Sequence, residues 1–407
     1  MLLNNIFKFF KINTESPFFL TIDLGSETLK VLLNEVIVED NEEKVRVKNV
    51  YKEFVSSDVS YYGKILDSSK LKDSLIKILN EIKKEMKGTP VSNVIITLSG
   101  NNCRSIMTTL QIDRPSSKSI SEKENNEISQ KVFEAAYKEL SEIILDESGE
   151  ENVEFELVDF IPIYMTSDGR EVIDLIGEEG NEVQVCYSVF FGLSETINIY
   201  NKLLKGLGLN IVSFVSSNTA ILKSLKTSKK DKIDCVILDI GGNTTEAIIC
   251  FGGGVYLNKV LDMGGSDLTY ELASKLNLSF LNAEKVKRLY TFNKLKEKES
   301  AVVQKVILFN LNNWLVGLEE LFSDFNNVKV FPSDFYVLGG SSELPDITEL
   351  LFEEPWTKSI PFKSLPEFKR IDFSSLKKLN KAQMARPSED LIPILVSIEY
   401  LEKRKRR

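Results

Sequence analysis

A chain of 407 residues is too long for one ordinary hydrophobic core, so two or more packed units are expected, and its 43% hydrophobic content supports a folded protein. A net charge of −9 argues against nucleic acid as a bulk electrostatic partner, leaving any basic contact local. The absence of histidine removes Ser-His-Asp and Cys-His catalysis and the commonest zinc ligand, so chemistry must come from carboxylates, lysines, backbone amides or a bound ion.

Cys103, Cys186, Cys235 and Cys250 are far apart, form no C-x-x-C pair and read as reduced structural thiols. No run reaches the roughly 18 apolar residues of a spanning helix, and no signal-peptide cleavage pattern follows the apolar start. A cytoplasmic body is expected.

The first segment, Met1 to Lys11, has helical periodicity, with Leu2, Leu3, Ile6, Phe7 and Phe10 on one face and Asn4, Lys8 and Lys11 on the other. Such an arm can lie in a membrane interface or pack on the core. Apolar runs at Phe18 to Asp23 and Leu29 to Val38 flank Gly25-Ser26-Glu27-Thr28 and predict a β-hairpin. Helical spacing follows over Asp67 to Lys87, then a strand over Val94 to Leu98. Residues from about Val91 to Phe191 mix strands with a charged helix around Glu122 to Leu145 and look like an inserted module.

A helix at Ser194 to Leu207 and a strand at Ile211 to Val215 precede the Lys- and Ser-rich stretch Lys223 to Lys232, a natural boundary. The fold then restarts: Asp234 to Asp239, the turn Gly241-Gly242-Asn243-Thr244-Thr245, and Glu246 to Phe251 form a second hairpin of the same design. Helices are expected at Asp267 to Leu276, Ala283 to Tyr290 and Val303 to Phe322, a strand at Asp334 to Leu338, and a last helix at Leu391 to Leu401. The resulting division is an arm at 1–16, a first lobe at 17–225 carrying an insert at about 91–191, a second lobe at 226–401 and a basic tail at 402–407.

Three glycine turns carry the candidate chemistry. Asp23-Leu24-Gly25-Ser26-Glu27-Thr28 and Asp239-Ile240-Gly241-Gly242-Asn243-Thr244-Thr245 each end an apolar strand in aspartate and continue in small residues whose N–H groups can approach a phosphate. Leu338-Gly339-Gly340-Ser341-Ser342 runs from a strand toward a helix and lets a flat base or ribose lie on backbone. Each alone is equally an ordinary turn. Glu284 and Lys287 share a helix face, either as a solvated pair or as a nucleoside contact, and Met263-Gly264-Gly265-Ser266-Asp267 precedes that region.

In order and context these motifs resemble the two phosphate loops and the adenosine loop of the actin, chaperone and sugar-kinase superfold. The resemblance implies an α/β, two-lobed actin-like ATPase fold with duplicated ribonuclease-H-like halves. It further implies ATP and Mg²⁺ as cofactors. Asp23 and Asp239 would hold the metal, largely through water. Gly25, Ser26, Thr28, Lys30, Gly241, Gly242, Asn243, Thr244, Thr245, Gly264, Gly265, Glu284, Lys287, Gly339, Gly340 and Ser341 would bind the nucleotide.

The stretch Val94 to Gln111, Ile161-Pro162-Ile163-Tyr164 with Asp168-Gly169, and Val183 to Phe191 resemble the inserted subdomain of the FtsA family of bacterial division proteins. That family implies a membrane-associated adaptor on the cytoplasmic face, which assembles into filaments or oligomers and recruits FtsZ to the septum. The PilM family of type IV pilus scaffolds shares the architecture and is the alternative, with pilus-assembly proteins as partners. Two departures matter. Val215-Ser216-Ser217-Asn218-Thr219 has no carboxylate where efficient ATPases place a glutamate, which predicts at most slow hydrolysis and disfavours a small-molecule kinase. Asn243 and Glu246 replace a usual glycine and aspartate. The short stretch from Tyr290 to Phe331 leaves little room for a second small sheet, and Glu402 to Arg407 could touch anionic lipid.

Overall fold

The computed structural model describes residues 16–405 apart from 57, 62–63, 227, 229–230, 353–355, 372–375, 377 and 381–387. The amphipathic arm Met1 to Lys11 and the tail residues Arg406 and Arg407 lie outside the described residues.

Strands β1 (Phe18–Leu24), β2 (Thr28–Glu39) and β3 (Glu42–Phe54) form an antiparallel meander. The small ladder of β4 (Ser60–Tyr61) and β5 (Lys64–Ile65) leads to α1 (Ser68–Glu85). Here the Asp67 carboxylate accepts from the N–H groups of Ser69 and Lys70, satisfying two donors that a helix start leaves free. β6 (Asn93–Leu98) pairs in parallel with β1. The insert then supplies β7 (Cys103–Asp113), α2 (Glu122–Ser148), β8 (Phe155–Ser167), β9 (Arg170–Val172) and β10 (Glu182–Leu193). α3 (Ser194–Gly206), β11 (Asn210–Ser216) and α4 (Ser217–Leu225) complete the first half.

The second half opens with β12 (Cys235–Ile240), β13 (Thr245–Phe251) and β14 (Gly254–Leu261). Three helices follow, α5 (Gly265–Leu276), α6 (Phe280–Thr291) and α7 (Glu297–Ser323). Then come β15 (Asp334–Leu338), α8 (Pro345–Phe352), the single turn α9 (Trp356–Ser359), β16 (Glu367–Arg370) and α10 (Leu391–Lys405).

The duplication extends beyond the two hairpins. The first sheet has the order β3-β2-β1-β6-β11, and the second repeats it as β14-β13-β12-β15-β16. In each, the first two pairings are antiparallel and the last two parallel. The chain thus has the duplicated α/β architecture that the actin-like resemblance implied.

Alternation explains how the sheets are covered. In β12, Val236, Leu238 and Ile240 face a core built with α5, α6, α7 and α8, whereas Cys235 and Ile237 face a second core shared with α4 and α10. In β1, Leu20, Ile22 and Leu24 pack toward α1 and α3 while Phe19 points into that same shared core, its ring stacked on Tyr400 at 3.8 Å. A strand buried on both faces must be apolar at nearly every position, which is why these segments read as continuous runs.

Several expectations change. The strand at 93–98 lies inside the first sheet between β1 and β11, so the chain leaves that sheet only after Leu98, not near residue 91. The insert's strands β7, β10, β8 and β9 continue the second sheet past β14, although the chain enters and leaves the insert from the first half. Asn258 secures that seam, its side-chain oxygen accepting from the Ser105 N–H at 2.7 Å and its amide donating to the Cys103 carbonyl at 3.1 Å. No strand occupies 292–330; α7 fills that stretch, and it is long and apolar enough to cross a membrane, contrary to the expectation that no segment is. Nine of its residues are buried, eight of them in the second-half core, which marks it as a core helix.

The basic tail does not begin at 402, because α10 runs on to Lys405. Glu402 lies 3.3 Å from Lys223 and 3.1 Å from Lys378, and Lys403 lies 3.4 Å from Asp159. Burial raises the Glu402 carboxyl, but Lys223 and Lys378 together bring it down to about 2 from its ordinary 4.5. Because the folded value is depressed, this stabilisation is complete above the unfolded value and is lost as pH falls from 4.5 toward about 2. The neighbouring Glu399 shifts the opposite way, raised by burial against Lys223. Glu402→Gln should therefore flatten the loss of urea midpoint across that acid window relative to wild type; equal slopes would show that Glu402 carries none of it.

Candidate functional site

The two hairpins match residue for residue at their tips. Gly25 N–H donates to the Thr28 carbonyl at 3.0 Å, and Gly241 N–H donates to Thr244 at 2.9 Å. Asp23 pairs across the strands with Lys30 and Asp239 with Glu246, so the same register position holds a cation in one half and an anion in the other. The tips meet. Asn243 N–H donates to Ser26 Oγ at 3.1 Å, and Ser266 Oγ donates to the Glu27 carboxylate. A Cβ at Gly242 would stand 2.9 Å from Ser26 Oγ and would push that hydroxyl aside.

A cleft opens beside the tips. Its walls include Asp23, Gly25, Ser26, Thr28, Lys30, Asp239, Gly241, Gly242, Thr244, Glu284, Lys287, Gly339, Gly340 and Ser341. These fourteen positions, expected from separate motifs, therefore share one cavity. Four other expected residues do not line it. Thr245 is fully buried behind the loop, its hydroxyl donating to the Met263 carbonyl at 2.9 Å and accepting from the Trp314 indole N–H at 2.8 Å. Gly264 and Gly265 back the second hairpin: the N–H groups of Gly265 and Ser266 donate to the carbonyls of Gly241 and Gly242 at 3.0 and 2.7 Å. Asn243 is engaged at the tip contact.

Glu284 and Lys287 form the expected pair, 2.7 Å apart, with a structural task as well. The Lys287 ammonium also donates to the Gly265 carbonyl and to Thr269 Oγ1, each at 2.7 Å. It braces the Gly-Gly turn from below. Burial raises the Glu284 carboxyl, but Lys287, Thr269 and Arg288 carry it below its ordinary value.

Both aspartates line the cleft, Asp23 buried and Asp239 part-buried. Burial raises Asp23 more than Lys30, 3.7 Å away, lowers it. Burial also pushes Asp239 up to about 7, with Glu246 and Asp23 adding to the rise and Lys30 opposing it. Two hard carboxylates beside backbone N–H groups fit a divalent cation shared with phosphate oxygens. Among the described residues no group of three or more Asp, Glu, Cys or His is placed to hold a metal ion.

Glu246, noted in the sequence only as a departure, turns out to line the cleft, together with Ser99, Gly100, Asn101, Glu27, Arg288, Glu343 and Glu389. Its Oε1 accepts from Asn218 at 3.0 Å and Asn258 at 2.6 Å, and its Oε2 accepts from the Gly100 N–H at 3.0 Å. Its register equivalence to Lys30 was the available signal. Glu389 belongs to a segment with no recognisable motif; its carboxylate lies 2.5 Å from Lys52 and 3.5 Å from Arg288, and its carbonyl accepts from Lys30 at 2.5 Å.

Gly339 sits at φ +90°, and a Cβ there would lie 2.4 Å from both Asp239 Oδ1 and the Ile240 carbonyl. Gly339→Ala should therefore destabilise the protein by roughly 2–4 kcal/mol, as measured by urea denaturation. A change below about 0.5 kcal/mol, the scatter of ordinary surface substitutions, would show that this approach is not tight.

The sequence profile of the family described as "Cell division protein FtsA" matches residues 236–376. The cell division protein FtsA of Helicobacter pylori (strain ATCC 700392 / 26695) is 28% identical over 130 residues, 32% of this chain and 26% of that protein's own length. That of Bacillus subtilis (strain 168) is 21% identical over 355 residues, covering 82% of this chain and 75% of that protein. Among solved structures, a PilM-PilN type IV pilus biogenesis complex contains a chain that aligns with 93% of this one and 97% of its own length. The TM-score is 0.63 at 20% identity. The chain is an FtsA-like protein with the actin-like ATPase fold.

Proposed function

We propose that this FtsA-like chain is a cell-division adaptor that binds ATP and Mg²⁺ in the cleft, assembles, and recruits FtsZ to the septum at the cytoplasmic face of the membrane. The observation that carries the reading is the pair of register-equivalent hairpins that bring Asp23 and Asp239 to one cleft, within a chain whose second half matches the FtsA profile. Asp23 and Asp239 would hold the cation, largely through water. The N–H groups of the hairpin tips, with Lys30, would take the phosphates, and Gly339, Gly340 and Ser341 would support the nucleoside. A bound Mg²⁺ would neutralise phosphate charge that the two aspartates otherwise repel.

Replacing Asp239 with Ala should weaken Mg²⁺-dependent ATP binding well over tenfold in a calorimetric titration, since the loss of one charged ligand in a desolvated site exceeds about 1.4 kcal/mol. Unchanged affinity would count heavily against the cleft assignment. FtsZ co-sedimentation tests the partner directly. For the membrane, the arm Met1 to Lys11 is the proposed anchor; deleting it should abolish co-sedimentation with anionic liposomes, and undiminished binding would remove the arm from this role.

A second reading, a PilM-like scaffold for type IV pilus assembly, is favoured by one observation, the alignment over nearly the whole of both chains with the PilM-PilN complex. Pilus-assembly genes beside this one would support it, whereas a neighbouring FtsZ gene would support division.

A further inference from the structure

Helix α7 is apolar on two flanks. One is covered: Val303, Ile307, Leu311, Trp314, Leu318 and Phe322 pack into the second-half core. The other faces outward and carries Val302, Phe309 and Val316, exposed at 52%, 65% and 56%. Seven-residue spacing on a helix with 3.6 residues per turn drifts by only about 20° per step, so these three side chains form one strip. Lys298, Lys305, Asn313 and Glu320 are exposed along the same strip. Three large apolar side chains held in water on one ridge mark a site of association.

The strip is complementary to itself in reverse. About Phe309 as centre, Val302 and Val316 stand seven residues to either side, Lys305 and Asn313 four, and Lys298 and Glu320 eleven. Turned end over end on a copy of itself, the helix places Val302 on Val316, Phe309 on Phe309 and Lys298 beside Glu320. A parallel pairing would instead set Lys298 on Lys298 and Glu320 on Glu320. Among the described residues, neither Lys298 nor Glu320 has an ion pair within the chain.

We propose that a second copy of this chain docks on α7, the two helices antiparallel across a two-fold axis at Phe309. Such an interface is isologous, each residue meeting its mirror position, and it closes on itself as a dimer. The contacting stretch from Lys298 to Glu320 is roughly 33 Å long at 1.5 Å rise per residue. One helix pair of that length buries on the order of 1,000 Å² in total, the low end of specific interfaces, so the dimer is weak and concentration-dependent. The inference rests on α7's outer face and uses nothing in the cleft, so its test is separate from the ATP titration.

Cysteine cross-linking in the full chain reads the geometry. The four native cysteines are buried, so a thiol introduced on this exposed face is the reactive one. Phe309→Cys should form a covalent dimer under mild oxidation. Val302→Cys alone should not, while an equal mixture of Val302→Cys and Val316→Cys chains should cross-link. Analytical ultracentrifugation supplies the second readout: Lys298→Glu or Glu320→Lys should weaken self-association about tenfold by setting like charges together. The double exchange should restore it to within about threefold. Efficient cross-linking of Val302→Cys to itself, failure of the double exchange to rescue, or a wild-type chain that stays monomeric at 100-fold above ordinary assay concentrations with Phe309→Cys uncross-linked would each overturn the proposal.

Discussion

Two carboxylates, Asp23 and Asp239, line one cleft near the ends of two strands, and much of the surrounding structure answers to the cost of placing them there. Desolvation raises both, Asp239 to about 7, and Lys30 offsets only part of the strain. Neither aspartate can relax outward, because each ends a strand buried on both faces and fixed by parallel pairing on its other side. At Asp239 the backbone of Gly339 closes in so near that no Cβ fits. The strands set the charges, and the glycines let the backbone come close enough to surround them.

The duplication is not exact here, and the departure adds to that cost. Had the second hairpin carried lysine at the position equivalent to Lys30, two ammonium groups would flank the cleft; instead it carries Glu246, a third acid. That acid is buried, although it lines the cleft. Two side-chain amides and one backbone N–H converge on its carboxylate from α4, β14 and the turn after β6, which span both halves and the entry to the insert. Glu246 therefore works as a joint between the halves. Such a joint holds only while all three donors are present, since a buried carboxylate is tolerable in proportion to the hydrogen bonds it receives.

The sequence displays the hairpins because their signals are local: an apolar strand, an aspartate and a run of small residues within about a dozen positions. The same locality made the cleft walls from residues 23–30, 239–244 and 339–341 legible. Thr245 turns away behind its loop, because a motif specifies which residues share a turn but not which side of it each faces. The insert's attachment was illegible for a different reason. It rests on Asn258 reaching the backbone at Cys103 and Ser105, contacts about 150 positions apart that leave no periodic trace. Glu389 was invisible likewise; its partners Lys30, Lys52 and Arg288 lie in separate regions of the chain. The boundary at residue 91 failed because β6 is equally apolar whether it opens a module or sits in the middle of a sheet.

The donors that a phosphate would seek already have acceptors within the protein. Asn243 N–H is committed to Ser26 Oγ, and the Lys30 ammonium lies between Asp23 and the Glu389 carbonyl. Arg288, on α6 in the second half, lies near Glu389, which Lys52 of the first half also holds. An anion entering between the tips must replace Ser26 at Asn243 and compete with Glu389 for Lys30, so its net gain is the difference between two sets of hydrogen bonds, not the sum of one. Each contact it displaces also joins one half of the molecule to the other. A ligand that displaced these contacts would shift the placement of the halves only by as much as it bound the two placements differently. At the start of α4, Asn218 spends its amide on Glu246 and so strengthens the joint.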